Sequence, residues 1–227
     1  MKSNHKELIV DVSRDLLCKN FTDAVEIAKR LDISYLWIDS LCIIQDDDDD
    51  WRHEAALMSE VYGHSSINIA AADAENGNIG CFFRRIPQIV TPIRLQLVMR
   101  KSLAAYIMFD MSAQTERHES GALSKRAWAF QERFLSPRTL YFTNSQVFWE
   151  CDDGDVASEV FPAGFHGFSR RSRHGIWGGV RLEELWRQIV RMYSKRQLTY
   201  GTDKLIALAG VATVSYTHLT LPTNREV

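Results

Sequence analysis

No run of eighteen apolar residues occurs in the 227-residue chain, and no secretory leader precedes the first polar segment. The expectation is therefore an intracellular, cytoplasmic protein without a membrane segment. The four cysteines, Cys18, Cys42, Cys81 and Cys151, show no CxxC spacing, which argues against zinc; Cys42 and Cys151 read as small core residues. Charge of one sign is also missing. Net charge is −2 with both signs interspersed, so nothing advertises nucleic acid. The one basic cluster, Arg170, Arg171 and Arg173 beside His174, reads as a solvated loop. GxGxxG, Walker, GxSxG and HExxH motifs are absent, which removes support for nucleotide-kinase, serine-hydrolase and zincin readings.

What is present is an ordinary globular composition, 45% apolar and 25% charged, in a chain long enough to bury a core. Phe21, Ala24, Val25, Ala28 and Leu31 form one helical stripe, with Asn20 as a candidate cap. Asp32 and Ser34 make the turn into an apolar stretch, Tyr35–Ile38, which reads as a central parallel strand. A helix begins near Trp51, and 66–72 reads as a second core strand. This strand–helix–strand unit points to an α/β fold with a mostly parallel sheet and helices on both faces. Further on, 88–110 suggests one or two strands, 123–134 a helix stopped by Ser136-Pro137, and 139–142 with 146–151 a hairpin. Residues 152–180 form the longest loop candidate; helices follow at 182–196 and 203–211.

The helix after Trp51 places Ala55, Leu57, Met58, Val61 and Tyr62 on one broad face with Glu54 near its centre. A carboxylate there must be paired, hydrogen-bonded or raised in pKa, as at many functional sites and in many structural ion pairs. Asp39 and Ser40 stand at the carboxyl end of the Tyr35–Ile38 strand, where open sheets bind ligands, or else Asp39 shapes the next loop. The Asp46–Asp50 run lacks calcium-loop spacing and reads as a solvated loop favouring the next helix N-terminus, with no metal expected. Glu132 is either a second acid or, with Arg133 and its neighbours, an internal ion pair. A two-acid hydrolase of Glu54 and Glu132 needs their carboxyls within about 10 Å.

The segments Tyr35-Leu-Trp-Ile-Asp-Ser-Leu-Cys-Ile-Ile-Gln-Asp-Asp47, Asp50-Trp51, Glu54, Met58 and Tyr62 resemble the fungal heterokaryon-incompatibility (HET) domain. So do Ile69-Ala-Ala-Ala72, Gly80-Cys-Phe82, Arg126-Ala-Trp128 and Gln131-Glu-Arg-Phe-Leu-Ser-Pro-Arg138. The resemblance covers roughly 15–212 and lacks the family's opening strand. It implies an uncertain segment at 1–14, the domain over 15–151, a loop and helical continuation over 152–212, and a non-native tail over 213–227, which is similar to translated adaptor sequence.

HET domains look like distant relatives of TIR domains, flavodoxin-like modules of which many cleave NAD with a helical glutamate. The resemblance implies non-self recognition leading to cell death, with Glu54 as the catalytic carboxylate and NAD as substrate rather than cofactor. Asp39, Ser40 and Trp51 would then bind substrate. The Trp51–Glu54 spacing is one residue shorter than the usual TIR pattern. The rival expectation is a non-catalytic module that kills by self-association or by docking a sensor or regulatory domain.

Overall fold

A computed structural model describes residues 1–85, 91, 93–99, 102–108, 121–152, 156–161 and 182–220. Helix α1 (His5–Val10) leads to α2 (Lys19–Arg30), α3 (Asp39–Cys42) and α4 (Asp48–Gly63). Strand β1 (Asn68–Ala71) follows, then the antiparallel pair β2 (Ile93–Met99) and β3 (Ser102–Met108). Helix α5 (Ala127–Leu135) feeds β4 (Arg138–Phe142), β5 (Val147–Cys151) and β6 (Val156–Ser158), and the chain continues through α6 (Leu182–Tyr193) and α7 (Ile206–Thr220). The expected α/β class is present. The four-stranded sheet has the order β1-β4-β5-β6; β1 and β4 are parallel, and the β4–β5 and β5–β6 pairs are antiparallel.

Period-two alternation sets the two faces of this sheet. Ala70, Tyr141 and Phe148 lie in one cross-strand row and pack together with Ala72 and Leu123. The adjacent rows turn Ile69, Ala71, Leu140, Phe142 and Val147 to the other face, against Ile27 of α2 and Cys81. A third cluster joins Phe130, Phe134 and Leu135 of α5 to Ile189 and Tyr193 of α6 and to Ala207 and Val211 of α7.

Two local expectations need correction. Tyr35–Ile38 is not a strand: it takes part in no β-ladder among the described residues, and Tyr35 is 92% exposed. Apolar composition makes a segment extended, but a strand exists only where a ladder partner accepts its backbone groups. Asn20 does not cap α2, which starts one residue earlier with Cys18 at the cap position. Instead Asn20 Oδ1 accepts the Gly80 N–H at 2.8 Å. Asp32, with φ of 56°, ends α2 in the left-handed conformation that Asp tolerates. The loop reading over most of 152–180, including the Arg170–His174 cluster, falls outside the described residues.

The aspartate run is used up by separate partners. Asp47 caps α4 by accepting from the Asp49 and Asp50 N–H groups, and it pairs with Lys2 at 2.9 Å. Asp48, Asp49 and Asp50 fill the first turn, where the helix dipole favours negative charge. Asp46 accepts from the Lys2 backbone N–H at 2.6 Å.

Candidate functional site

Helix α4 forms the floor, and the segment 37–44 lies along it as a lip fixed at both ends. At one end the Trp37 ring meets Tyr62, near the C-terminus of α4, edge-on at 5.7 Å and 77°. At the other, the Ile44 N–H donates to Asp50 Oδ2 at 2.7 Å in the first turn. Ile43 is buried and anchors the lip from below. The Gln45 side chain donates to the carbonyls of Asp39 and Ile43 and closes the turn.

Ile38 is extended, so Trp37 and Asp39, two residues apart, face the same way. That explains why the Asp39 charge reaches both Tyr62 and Glu132 although the residue itself is exposed. Asp39 Oδ1 also accepts the Ser40 N–H at 2.7 Å, and Ser40 is exposed beside it.

Beneath the lip, Tyr62 packs against the cluster of α5, near enough to Glu132 for each to bear on the other's ionisation. Glu132 is half-buried. Burial pushes its carboxyl up to about 7; Arg126 pulls it down, Asp39 pushes it further up, and the neighbouring Tyr62 hydroxyl lowers it. The Tyr62 phenol is raised well above its ordinary range, first by burial and then by the Glu132 and Asp39 charges.

Glu54 lies one turn after Asp50 and two turns before Tyr62, on the flank of α4 between the two points that pin the lip. It is half-buried and makes no hydrogen bond or ion pair among the described residues. Trp51 packs edge-on against Trp128 of α5 at 6.3 Å. Trp128 in turn lies one helical turn before Glu132. On the opposite flank of α4, a half-open cleft of about 390 Å³ is lined by Trp51, Arg52, Ala55, Ser59, Gly210 and neighbours.

The structure thus brings Asp39 and Glu132 into one electrostatic cluster with Tyr62 and Arg126. Arg133 belongs elsewhere: one residue on, it points to the sheet and pairs with buried Glu150 at 3.2 Å. Among the described residues, Glu132 forms no ion pair within 4.0 Å, so the Glu132–Arg133 ion-pair expectation gives way to an Arg133–Glu150 pair. No cluster of three or more His, Cys, Asp or Glu fit for a metal occurs among the described residues, nor does a helix long and apolar enough to cross a membrane.

From the sequence, Tyr62 stood on a greasy helical face and in the HET-like segments, as did Trp37 and Arg126 in those segments, but none of the three carried a role of its own. Tyr62 follows Trp51 by eleven residues, close to three full turns, which was the available signal for a shared face. No local pattern links Asp39 to Glu132. The family described as "Heterokaryon incompatibility protein (HET)" matches over residues 1–132, a span that includes Trp37, Asp39, Glu54, Tyr62, Arg126 and Glu132. No curated protein and no solved structure matches the chain.

Proposed function

The chain belongs to the heterokaryon-incompatibility (HET) family, and from that premise we propose that it is a cell-death effector domain that hydrolyses the nicotinamide–ribose bond of NAD through Glu54. The observation that carries this reading is the position of Glu54: a half-buried carboxylate, without a partner among the described residues, on the flank beneath a pinned lip. A carboxylate so placed stabilises positive charge developing on a ribose ring, as in glycoside chemistry generally.

In the reaction, the C1′–N bond breaks and its electron pair leaves with neutral nicotinamide. Water then bonds to C1′, and its proton passes to a carboxylate and on to solvent. Asp39 and Ser40, exposed at the lip, meet the ribose hydroxyls, and Trp51 packs beside the site. The test is nicotinamide release from NAD by the full chain at high protein concentration. Release that Glu54→Ala abolishes is the expected result; release unchanged by Glu54→Ala overturns the assignment.

One observation favours the second reading, a non-catalytic assembly module. Residues 34–37 lie outside any helix or ladder among the described residues, and Tyr35 is almost fully exposed. Such a segment is a template for strand addition by another chain. On that reading, toxicity survives Glu54→Ala and is lost with Tyr35→Pro, which blocks strand addition without touching the cleft.

A further inference from the structure

We propose that the outer edge of β3 is an interface between two copies of this chain. Ser102–Met108 of one copy pairs antiparallel with Ser102–Met108 of the other about a two-fold axis at Ala105, giving a sheet of order β2-β3-β3-β2. The proposal goes beyond both functional readings above and requires neither.

The hairpin is incomplete by itself. Strands β2 and β3 pair continuously from Ile93↔Met108 to Met99↔Ser102. Among the described residues, neither joins the four-stranded sheet or packs closely on another element. Two strands alone are marginal in water, and independent stability needs a third strand or a packed face.

The register identifies the backbone groups left over. A ladder closed over two residues ends on a hydrogen-bonded pair, here Met99↔Ser102, and such pairs then alternate. Ser102, Ala104, Tyr106 and Met108 therefore direct their N–H and C=O groups to β2, while Leu103, Ala105 and Ile107 direct theirs outward. Pairing two such edges about Ala105 sets Ala105 opposite Ala105 and Leu103 opposite Ile107. All three outward residues then exchange both bonds. An axis at Ala104 or Tyr106 instead strands one of the three in each copy.

The residue types select β3 over β2. The outward positions of β2 are Arg94, Gln96 and Val98, and Arg94 is exposed, a charge of the kind that protects an edge. Strand β3 has no charged residue, no proline and no glycine. Against a copy of itself it sets a small residue on the axis and Leu beside Ile, with no like charges opposed. In the sequence, Arg100 and Asp110 stand equally far on either side of Ala105, so the same two-fold matches opposite charges at both ends.

The test is sedimentation velocity of the full chain over a dilution series, with hydrogen exchange followed at 102–108. The parent is expected to show a mass that doubles at high concentration and reverts on dilution, with protection at 102–108 lost over the same range. Ala105→Pro removes an N–H that the β2 ladder does not use and is expected to abolish the dimer. Ala105→Lys and Ala105→Glu each oppose like charges across the axis, so each is expected to be monomeric alone and to dimerise when the two are mixed. Tyr35→Pro, which alters the other exposed segment, is expected to leave the dimer intact. A parent that stays monomeric, a species larger than a dimer, a dimer that survives Ala105→Pro or is lost in Tyr35→Pro, or Lys and Glu variants that do not associate on mixing would each overturn the interface. Should the position-105 variants fail to fold, exchange in the parent decides alone, and equal rates at high and low concentration overturn it. Failure of the NAD reading shows separately, as absent nicotinamide release with the dimer intact.

Discussion

Gln131 Oε1 accepts a hydrogen bond from the Gly210 backbone N–H at 3.0 Å where α5 meets α7. Gln131 is 1% exposed, and a Cβ at position 210 would stand 2.9 Å from Ser59 Cβ and 3.0 Å from that same oxygen. Two effects compete in Gly210→Ala: a helix-propensity gain of about 1 kcal/mol and an overpacking cost of about 1–3 kcal/mol. Gln131 is buried and its Oε1 is held in place by the Gly210 N–H, so the cost prevails and a net loss of about 1 kcal/mol is expected in urea denaturation. Gly63, with nothing within 4 Å of its added Cβ, is the control. Gly63→Ala should gain about 0.4–1 kcal/mol.

Helices α4 and α5 were legible because amphipathic periodicity is a local signal, and they and the β4–β5 hairpin fall close to where pattern and turn residues put them, whereas α7, expected over 203–211, runs from Ile206 to Thr220. The Tyr35–Ile38 segment misled for a physical reason: four apolar residues report burial or extension, whereas strand status depends on a neighbour elsewhere in the chain. The same limit applies at the site. Glu54 and Asp39 could be singled out as polar groups in apolar surroundings. Their relation to Tyr62 and Glu132 required knowing that the lip runs along α4, which depends on one side-chain acceptor, Asp50, and one ring contact.

Asp23, buried on α2, ties a distant loop to the helix by accepting the Cys81 N–H at 2.8 Å and pairing with Lys19. Gly80 beside it has φ of +88°, and any Cβ there would meet Asp23 Oδ2 at 2.4 Å. Asp23→Ala strands a buried N–H and should cost about 1–3 kcal/mol. Asp23→Asn keeps an acceptor and should cost less. Guanidinium denaturation ranks the two, and limited proteolysis at 77–82 should accelerate in the alanine variant first.

Glu150, 4% exposed on β5, accepts from Tyr141 Oη at 2.6 Å and from two nitrogens of Arg133 at 3.2 and 3.3 Å. Arg133→Met leaves a buried carboxylate short of its countercharge, a loss of about 3–5 kcal/mol, tempered because Arg133 is itself 21% exposed. Tyr141→Phe removes one hydrogen bond to a charged group and should cost about 1.5–3 kcal/mol. Adding Glu150→Gln to Arg133→Met should recover much of the loss, since no stranded charge remains. A double-mutant cycle in urea measures the coupling, and purely additive losses would contradict a shared ion pair.

Glu132 makes stability depend on pH in a definite direction. Its carboxyl is held at about 7 in the folded chain against an ordinary 4.5. Between those values the folded state keeps a proton that the unfolded state has released. Unfolding free energy therefore falls as pH rises from about 4.5 to about 7, then levels. At 1.36 kcal/mol per unit the full effect is at most on the order of 3 kcal/mol. Asp47, lowered chiefly by its hydrogen bond with Lys2, and Glu26, lowered by Arg30, act in the opposite sense and below this window. Glu132→Gln should abolish the slope, giving a chain more stable than the parent above pH 7. Asp39→Asn should shorten the sloping window by lowering its upper end. Urea midpoints taken at half-unit steps read both effects, and a slope that persists unchanged in Glu132→Gln would assign it to another group.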